Sequence, residues 1–381
     1  MTIPLLLLAF FILYLSYERV ILNRLRRSIP LVIAVTGTRG KSSVVRMLAS
    51  VLREQGKRVL AKTTGSQAQL LLPDGSIQDI PRRGIVSILE QKKILNTAAD
   101  LNIDCLVVEI MSIRPENHIV EAQQILKPDI VILTNVRRDH VEAMGETEAE
   151  IAEVLKKDFP RESSVYLLQE YVSLFGTSGS NNTPVAFKAV TTESSRPHTT
   201  EFAENVALVR AVSKDLGVSE EVVATGLQLT QRDIGSLRIW KHTVHDKRVF
   251  LVNAFAANDP DSTRMIYSKV AHALSAGPAS FTGLLNLRYD RPDRTVQWID
   301  ALNNGSSSLF RTIYALDGHS HVLRRKTRSV KRIAAGDAKE ITESLTGQMQ
   351  NGDILFGFGN IGGMGRELVE HWQKIGDDYG L

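Results

Sequence analysis

Leu31-Val-Ile-Ala-Val-Thr-Gly-Thr-Arg-Gly-Lys-Ser-Ser-Val44 decides the fold of this chain. A run of apolar and β-branched residues leads into Gly37, and an apolar helical spacing (Val44, Val45, Leu48, Leu52) begins directly after Ser43. That order is strand, glycine loop, helix. Gly37-Thr38-Arg39-Gly40-Lys41-Ser42 then reads as a phosphate-binding loop, with two residues between its glycines where the commoner form has four. Glycines let backbone N–H groups turn around an anion, and the helix N-terminus adds partial positive charge. Lys41 is placed to reach the β- and γ-phosphates of ATP, and the Ser42 hydroxyl to hold Mg²⁺.

Upstream of this stretch, Ile3 to Tyr17 is nearly continuous Leu, Phe, Ile and Ala. With Val20, Ile21 and Leu22 it approaches the ~20 residues that span a bilayer. It has neither a basic leading segment nor a small-residue cleavage pattern, so residues 1–22 read as an uncleaved, single-pass transmembrane anchor. Arg24, Arg26 and Arg27 lie just beyond, which places everything after them on the cytoplasmic side of the cell membrane. Val20–Ile29 is the link to the first domain, either extended or continuing the helix.

Downstream, strands and helices alternate. Val44 to Gln55 reads as a helix closed by Gly56, Arg58–Lys62 as a strand, Thr63–Ser66 as a polar turn and Leu70–Gly75 as a hairpin tip. Ile85 to Leu101 has helical spacing, while Asp104–Ile110 and Pro128–Asn135 are buried strands. A helix over Thr147–Lys157, strands at Ser164–Leu168 and Pro184–Val190, and a helix over Phe202–Leu216 complete this half. Ile234–Arg238 looks like a linker, and a second α/β domain follows with strands at 249–254, 279–286, 312–316 and 353–360. The expected architecture is α/β: a mostly parallel, doubly covered sheet over 30–234 and a smaller α/β domain over 235–381.

Composition agrees with two packed domains, since 381 residues carry 43% apolar and 23% charged side chains. A net charge of +4 gives no case for nucleic acid. The single cysteine, Cys105, lies in an apolar strand, permits no internal disulfide and suits a reducing compartment.

In open α/β sheets ligands sit outside the carboxyl ends of the strands. Glu109 ends one strand there, and Asn135, Asp139 and His140 follow another. Together with Ser42 they offer oxygen and imidazole groups suited to holding Mg²⁺ against phosphates. The later cluster Ile361-Gly-Gly-Met-Gly-Arg366 lacks a following βαβ unit and a ribose-binding acid, so it is a weak dinucleotide signal.

Val35–Ser43 resembles the phosphate loop of the Mur ligase superfamily, and Thr134-Asn-Val-Arg-Arg-Asp-His140 with Gly145 resembles its second signature element. Ala203–Leu208 is similar to the asparagine-bearing helix that contacts adenine in that family. Asn258–Ser262 and Tyr289–Arg294 are similar to segments of its third domain. The resemblance covers roughly Pro30 to the C-terminus and lacks the usual UDP-binding first domain. With the N-terminal anchor and Phe358-Gly-Asn-Ile-Gly-Gly363, it is strongest to the ligase-subunit family of poly-γ-glutamate synthases.

What the resemblance implies is an ADP-forming amide ligase that polymerises glutamate through γ-linkages by way of an acyl phosphate. Residues 37–43 and Asn135 would bind the nucleotide phosphates, with Lys41, Glu109 and His140 catalytic. Ser42, Glu109 and His140 would hold Mg²⁺, or Mn²⁺ in its place, while Asn205 would contact the base and Arg238, from the linker, the phosphates. The implied partners are ATP, glutamate and small integral membrane subunits of a polymer synthase and export complex, with self-association compatible. Two departures stand out. Leu155 occupies the position of the carbamylated lysine of many relatives, so Lys156 and Lys157 are left out of the site, and Asn253 stands where an acid is usual. A folylpolyglutamate-like or cell-wall ligase shares these features. A membrane-anchored regulatory ATPase shares the loop and anchor but has no use for the second charged domain.

Overall fold

The computed structural model describes all residues except 1, 66, 83–85, 139–140, 177–184, 193–201, 290–291, 317–318, 328, 334–335 and 381. The chain forms two compact units, the first ending at Arg232 and the second running from Asp233 to the C-terminus.

In the first unit eight strands form one sheet: β1 (Leu31–Thr36), β2 (Val59–Thr63), β3 (Gln69–Leu71), β4 (Ile77–Asp79), β5 (Cys105–Glu109), β6 (Ile130–Leu133), β7 (Ser164–Leu168) and β8 (Ala186–Val190). Their order is β4-β3-β2-β5-β1-β6-β7-β8. All neighbours are parallel except the hairpin β3–β4, which adds antiparallel to β2. β1 and β5 lie at the centre and are apolar on both faces, as a sheet covered on both sides requires. The two-residue alternation of a strand sorts them into two cores. Ile33, Val35, Ala61 and Val107 enter one, with helix α2 (Lys41–Glu54) and the helices Ala203–Asp215 and Glu220–Gln228. Val32, Ala34, Leu60 and Leu106 enter the other, beneath α3 (Glu90–Asp100) and the π-helix Ile119–Leu126. Gly226 lets its helix close on α2, since a Cβ there would stand 2.5 Å from the Val51 Cα.

The amino-terminal helix α1 (Thr2–Arg27) is unbroken, so the link after the apolar segment continues the helix. Residues 3–17 are exposed, and Ile3–Arg27 is the one helix among the described residues long and apolar enough to cross a membrane. Its basic end is docked. Leu22 and Leu25 pack on the second core, Lys92 reaches Glu18 at 2.5 Å, and Lys127 reaches Asn23 at 2.6 Å. Arg26 donates to the carbonyls of Lys127 and Ile29 and pairs with Asp129 at 2.6 Å.

The second unit holds a seven-stranded sheet: β9 (Arg238–Val244), β10 (Lys247–Ala254), β11 (Phe281–Leu285), β12 (Thr312–Ala315), β13 (Val330–Arg332), β14 (Ile354–Phe358) and β15 (Asp377–Asp378). The order is β13-β12-β11-β14-β10-β9-β15, with β9 and β15 antiparallel and the rest parallel. Phe281, Phe356 and Phe358 fill one face, and Leu355, Phe255 and Trp372 the other. Gly357 makes room for the Phe255 ring, whose nearest atom would lie 2.3 Å from an added Cβ.

Two expectations need correction, and two elements were not expected. The helix expected from Ile85 begins at Glu90, where Glu90 pairs with Arg82 and the first turn gains an acid favourable to the helix dipole. Residue 85 lies outside the described residues. Arg238 is not in a linker but opens β9, opposite Asn253 in the antiparallel register. Strand β13 is too short to show a period, whereas the helix Ala338–Thr346 carries a sequence signal of its own, with an Asp337–Glu340 capping box and Ala338, Ile341 and Leu345 in helical spacing.

Candidate nucleotide and metal site

β1 delivers the loop at its carboxyl end, and two glycines adopt positive φ there: +119° at Gly37 and +82° at Gly40. Both are also crowded. A Cβ on Gly37 would meet Thr134 Oγ1 at 2.3 Å, and one on Gly40 would meet both side-chain polar atoms of Asn205 at 2.8 Å. Asn205, buried on its helix, therefore lies directly against the loop. The α2 N-cap is Gly40, which supplies no side-chain cap, so the first backbone N–H groups of α2 are left for an anion.

Asn135 braces the loop from behind. Its Oδ1 accepts from Thr38 Oγ1 at 2.7 Å and Arg39 N at 3.1 Å, and its Nδ2 donates to the Arg39 carbonyl at 3.0 Å. The Arg137 backbone N–H donates to Thr38 Oγ1 at 3.0 Å. Lys41 folds over the loop, donating to the carbonyls of Gly37 at 2.7 Å and Thr38 at 3.4 Å. Ser43 lies beside it in the first turn of α2.

Ser42 and Glu109 meet. The serine hydroxyl donates to Glu109 Oε2 at 2.8 Å, and the same oxygen accepts from the Thr64 backbone N–H at 2.7 Å. Gly65 presses on this point, for a Cβ there would stand 2.4 Å from Ser42 Oγ. Thr64 and Gly65 come from the polar turn after β2, whose position at a strand's carboxyl end was the one sequence signal for them. A hydroxyl and a carboxylate, both hard oxygen donors, beside a helix N-terminus fit Mg²⁺ held jointly with phosphates. No group of three or more metal-binding side chains occurs among the described residues. His140 and Asp139 lie outside those residues.

Behind Glu109 runs a buried polar network that sequence reasoning missed. Gln91 donates to the Glu109 carbonyl at 3.2 Å and to Glu121 at 2.6 Å. Glu121 also accepts from the backbone of Met111 and Ser112, which fixes the chain just past β5. Burial pushes the Glu121 carboxyl up, against those donors. Burial lowers the Lys62 ammonium, although Glu90 lies 3.2 Å away. A second network sits under the entry to the loop: Thr36 donates to Asp158 at 2.5 Å, and His118 Nδ1 lies 2.8 Å from the other Asp158 oxygen.

The remaining candidates are dispersed. Leu155 is buried in the first core, Lys156 points out to Glu153 at 3.4 Å, and the Lys157 carbonyl accepts from Gln123. Asn253 is buried and donates to the carbonyls of Ile234 and Ser236, so it pins the entry to the second unit. Asp259 caps the helix Pro260–Ala273. Asn286 ties the carboxyl end of β11 to that of β14 through the Asn360 and Gly362 carbonyls. Arg238 stands on the second unit, and Lys41, Ser42, Glu109, Asn135 and Asn205 on the first.

Residues 35–191 match the Mur ligase middle domain, and residues 239–375 match the poly-gamma-glutamate synthase CapB C-terminal domain. The chain is 28% identical over 374 residues to the capsule biosynthesis protein CapB of Bacillus anthracis, covering 95% of this chain and 80% of that protein. It is 28% identical over 366 residues to PGA synthase CapB of Bacillus subtilis, covering 91% and 92%. Among solved structures, the Yersinia pestis bifunctional folylpolyglutamate synthase/dihydrofolate synthase complexed with AMPPNP and Mn superposes with a TM-score of 0.72. That likeness, at 14% identity over 94% of this chain and 92% of the other, is one of fold.

Proposed function

The chain belongs to the Mur ligase superfamily, with a CapB-type C-terminal domain, and from that premise we infer an ATP-dependent, ADP-forming amide ligase that joins glutamate through γ-linkages. The observation that carries the reading is the junction of Ser42, Glu109 and Thr64 at the mouth of the phosphate loop, with Lys41 beside it. Phosphoryl transfer needs positioned positive charge more than covalent help from the protein.

In the first step a γ-carboxylate oxygen of a glutamyl acceptor attacks the γ-phosphorus of ATP, and the bond to the bridging oxygen breaks to release ADP. In the second, the amine of an incoming glutamate attacks the acyl carbon, loses a proton and expels inorganic phosphate. Lys41 leaves the carbonyls of Gly37 and Thr38 for the β- and γ-phosphates, where its charge balances the anion that builds as ADP departs. The first turn of α2 supplies backbone N–H groups to the same phosphates. Ser42 and Glu109 would hold Mg²⁺, or Mn²⁺ in its place, which supplies further charge neutralisation when bound. Asn135 keeps the loop open, and Asn205, packed against Gly40, marks the edge toward the base. His140 follows β6 in the sequence and would complete the metal site.

Helix α1 anchors the ligase in the cell membrane with Arg24, Arg26 and Arg27 on the cytoplasmic side. Its exposed apolar surface would pack against small integral membrane partners of a polymer export complex.

The test is ADP release by the full chain in mild detergent, with and without glutamate. Glutamate should stimulate release, and Lys41→Ala should abolish it in a protein that melts normally. Release that ignores glutamate would leave a plain ATPase and overturn the reading.

A further inference from the structure

Positive charge is concentrated along one edge of the second unit. The sequence has no acidic residue between Asp317 and Asp337. Helix Ser320–Lys326 ends on Arg324, Arg325 and Lys326, and β13 follows with Lys331 and Arg332. All five side chains are exposed, and among the described residues none of them has a carboxylate partner. Elsewhere on this unit some surface cations are paired, as in Arg264–Asp261, Arg311–Asp353, Lys339–Glu343 and Arg366–Glu370, and those without a carboxylate partner among the described residues, such as Lys241, Arg248 and Lys374, are scattered along the sequence.

The topology gathers these charges on the open edge of the sheet, with Arg332 on the face that Val330 shares with the helix and Lys331 on the opposite face. β13 is the edge strand and pairs with β12 alone, in parallel register, with Ala315 opposite Arg332. The helix between two parallel strands runs back against them, so Arg324–Lys326 lie toward the amino end of the strands. Arg332, opposite the last residue of β12, lies at the carboxyl end. The basic edge therefore extends to the end of the sheet where Asn286, Arg288 and Asn360 cluster, the end at which such sheets bind ligands.

Ordinary protein stability explains part of this pattern. Cations in the last turn favour the helix dipole, and a lysine on an edge strand discourages pairing with another sheet. Each effect needs one or two residues. The five exposed cations at 324–326 and 331–332, without a carboxylate partner among the described residues, repel one another, and a bound polyanion would relieve that repulsion.

We propose that this strip is a docking track for the polyanionic chain that the ligase extends. The inference rests on the function proposed above and deepens it. A γ-linked glutamyl chain consumes each γ-carboxyl in an amide and leaves every α-carboxylate free, one negative charge per residue. A strip of exposed, unpartnered guanidinium and ammonium groups matches that ligand. Arginine adds bidentate hydrogen bonds to the carboxylates. Holding the product near the carboxyl ends of the strands favours repeated extension of one chain over release after each addition.

The experiment uses the full chain in detergent and fluorescently labelled poly-γ-glutamate, read by anisotropy at low and high salt. One variant carries Arg324→Gln, Arg325→Gln, Lys326→Gln, Lys331→Gln and Arg332→Gln. A charge-conserving control carries Arg324→Lys, Arg325→Lys and Arg332→Lys. Since these residues are exposed, both should melt like the parent. The glutamine variant should bind the polymer about tenfold more weakly or worse, as expected for five exposed ion pairs, with a flatter salt dependence. It should make shorter products at an unchanged initial rate on a short acceptor, and the lysine control should retain binding. Unchanged polymer affinity and product length in the glutamine variant would overturn the proposal. So would strip-dependent binding of single-stranded DNA in preference to polyglutamate. The binding readout does not depend on ligation. Absence of glutamate-stimulated ADP release alongside strip-dependent polymer binding would therefore fault the reaction and not the track.

Discussion

The Ser42 hydroxyl donates to the Glu109 carboxylate across 2.8 Å, which joins the first turn of α2 to the last residue of β5. Glu109→Gln keeps an acceptor for Ser42 and Thr64 but removes the charge. The expected result is a normal melting temperature with turnover down on the order of 10²-fold, as for loss of one charge-stabilising group. Steady-state ADP release beside a thermal melt checks it. A variant with near-parental turnover would remove Glu109 from the site.

Gly40→Ala tests the packing of the loop against Asn205. Its φ of +82° costs a non-glycine residue about 1–2 kcal/mol, and the new methyl would push on Asn205 as well. For a unit of this size the strain lowers the melting temperature by roughly 2–4 °C per kcal/mol. Nucleotide affinity, measured by titration calorimetry with a non-hydrolysable analogue, should fall more steeply than stability. Asn205→Ala beside it separates strain from the lost contact, because it restores room for the methyl.

Residues 31–54 could be read from sequence because strand, loop and helix are contiguous and each carries its own signal. The partners of that loop come from far along the chain. Thr64 reaches Glu109 from a turn that looks like any polar turn, and Asp158 reaches Thr36 across 122 residues. Neither contact leaves a periodicity to detect. Asn253 shows the reverse case, a position whose side chain is consumed by the Ile234 and Ser236 carbonyls. Strand β9 escaped notice because only Ile239 and Trp240 are deeply buried in it, next to a glycine-serine stretch that suggests a linker. The sheet order, which brings the phosphate loop beside β5 and β6, depends on pairings that no local pattern states.

Truncation distinguishes the two ends of α1. Removing residues 1–17 takes away only exposed apolar surface and should release a soluble protein of unchanged stability. Removing residues 1–29 also strips Leu22, Leu25, Ile29 and the three Arg26 contacts, and should lower stability by several kcal/mol. Urea melts of the two proteins give the comparison. Equal stability would mean that the docked segment contributes nothing.

Stability should also carry a pH signature from Glu121. Burial raises its folded pKa above the ordinary 4.5, so its contribution to folding is complete below 4.5 and is lost as pH rises through the folded value. Parent minus Glu121→Gln should therefore shrink as pH increases from 4.5. Lys62 shifts the other way: its folded pKa is below 10.5, and its contribution grows as pH rises toward 10.5 in both proteins. A parent-to-variant difference that stays flat with pH would mean Glu121 is not held out of water as its burial indicates.

Cys105 offers a probe of the central strands. Burial pushes its thiol up to about 12, so the folded protein should not react with a thiol reagent near neutral pH. Modification should appear only with global unfolding, and labelling followed by mass spectrometry along a denaturant series reads this directly. Fast labelling of the native protein would show that β5 opens locally.

Helix α1 is a rod of 26 residues, about 39 Å long, free over its apolar end and clamped at its basic end. The clamp makes a lever of what would otherwise be a leash. Seated in a bilayer, a span that exceeds the local hydrocarbon thickness tilts. Lys127 and Asp129, which grip the rod, lie just ahead of β6, and β6 runs on to Asn135, the brace of the phosphate loop. The direction in which α1 leaves the first unit is thus set by the same stretch of chain that carries the brace of the phosphate loop.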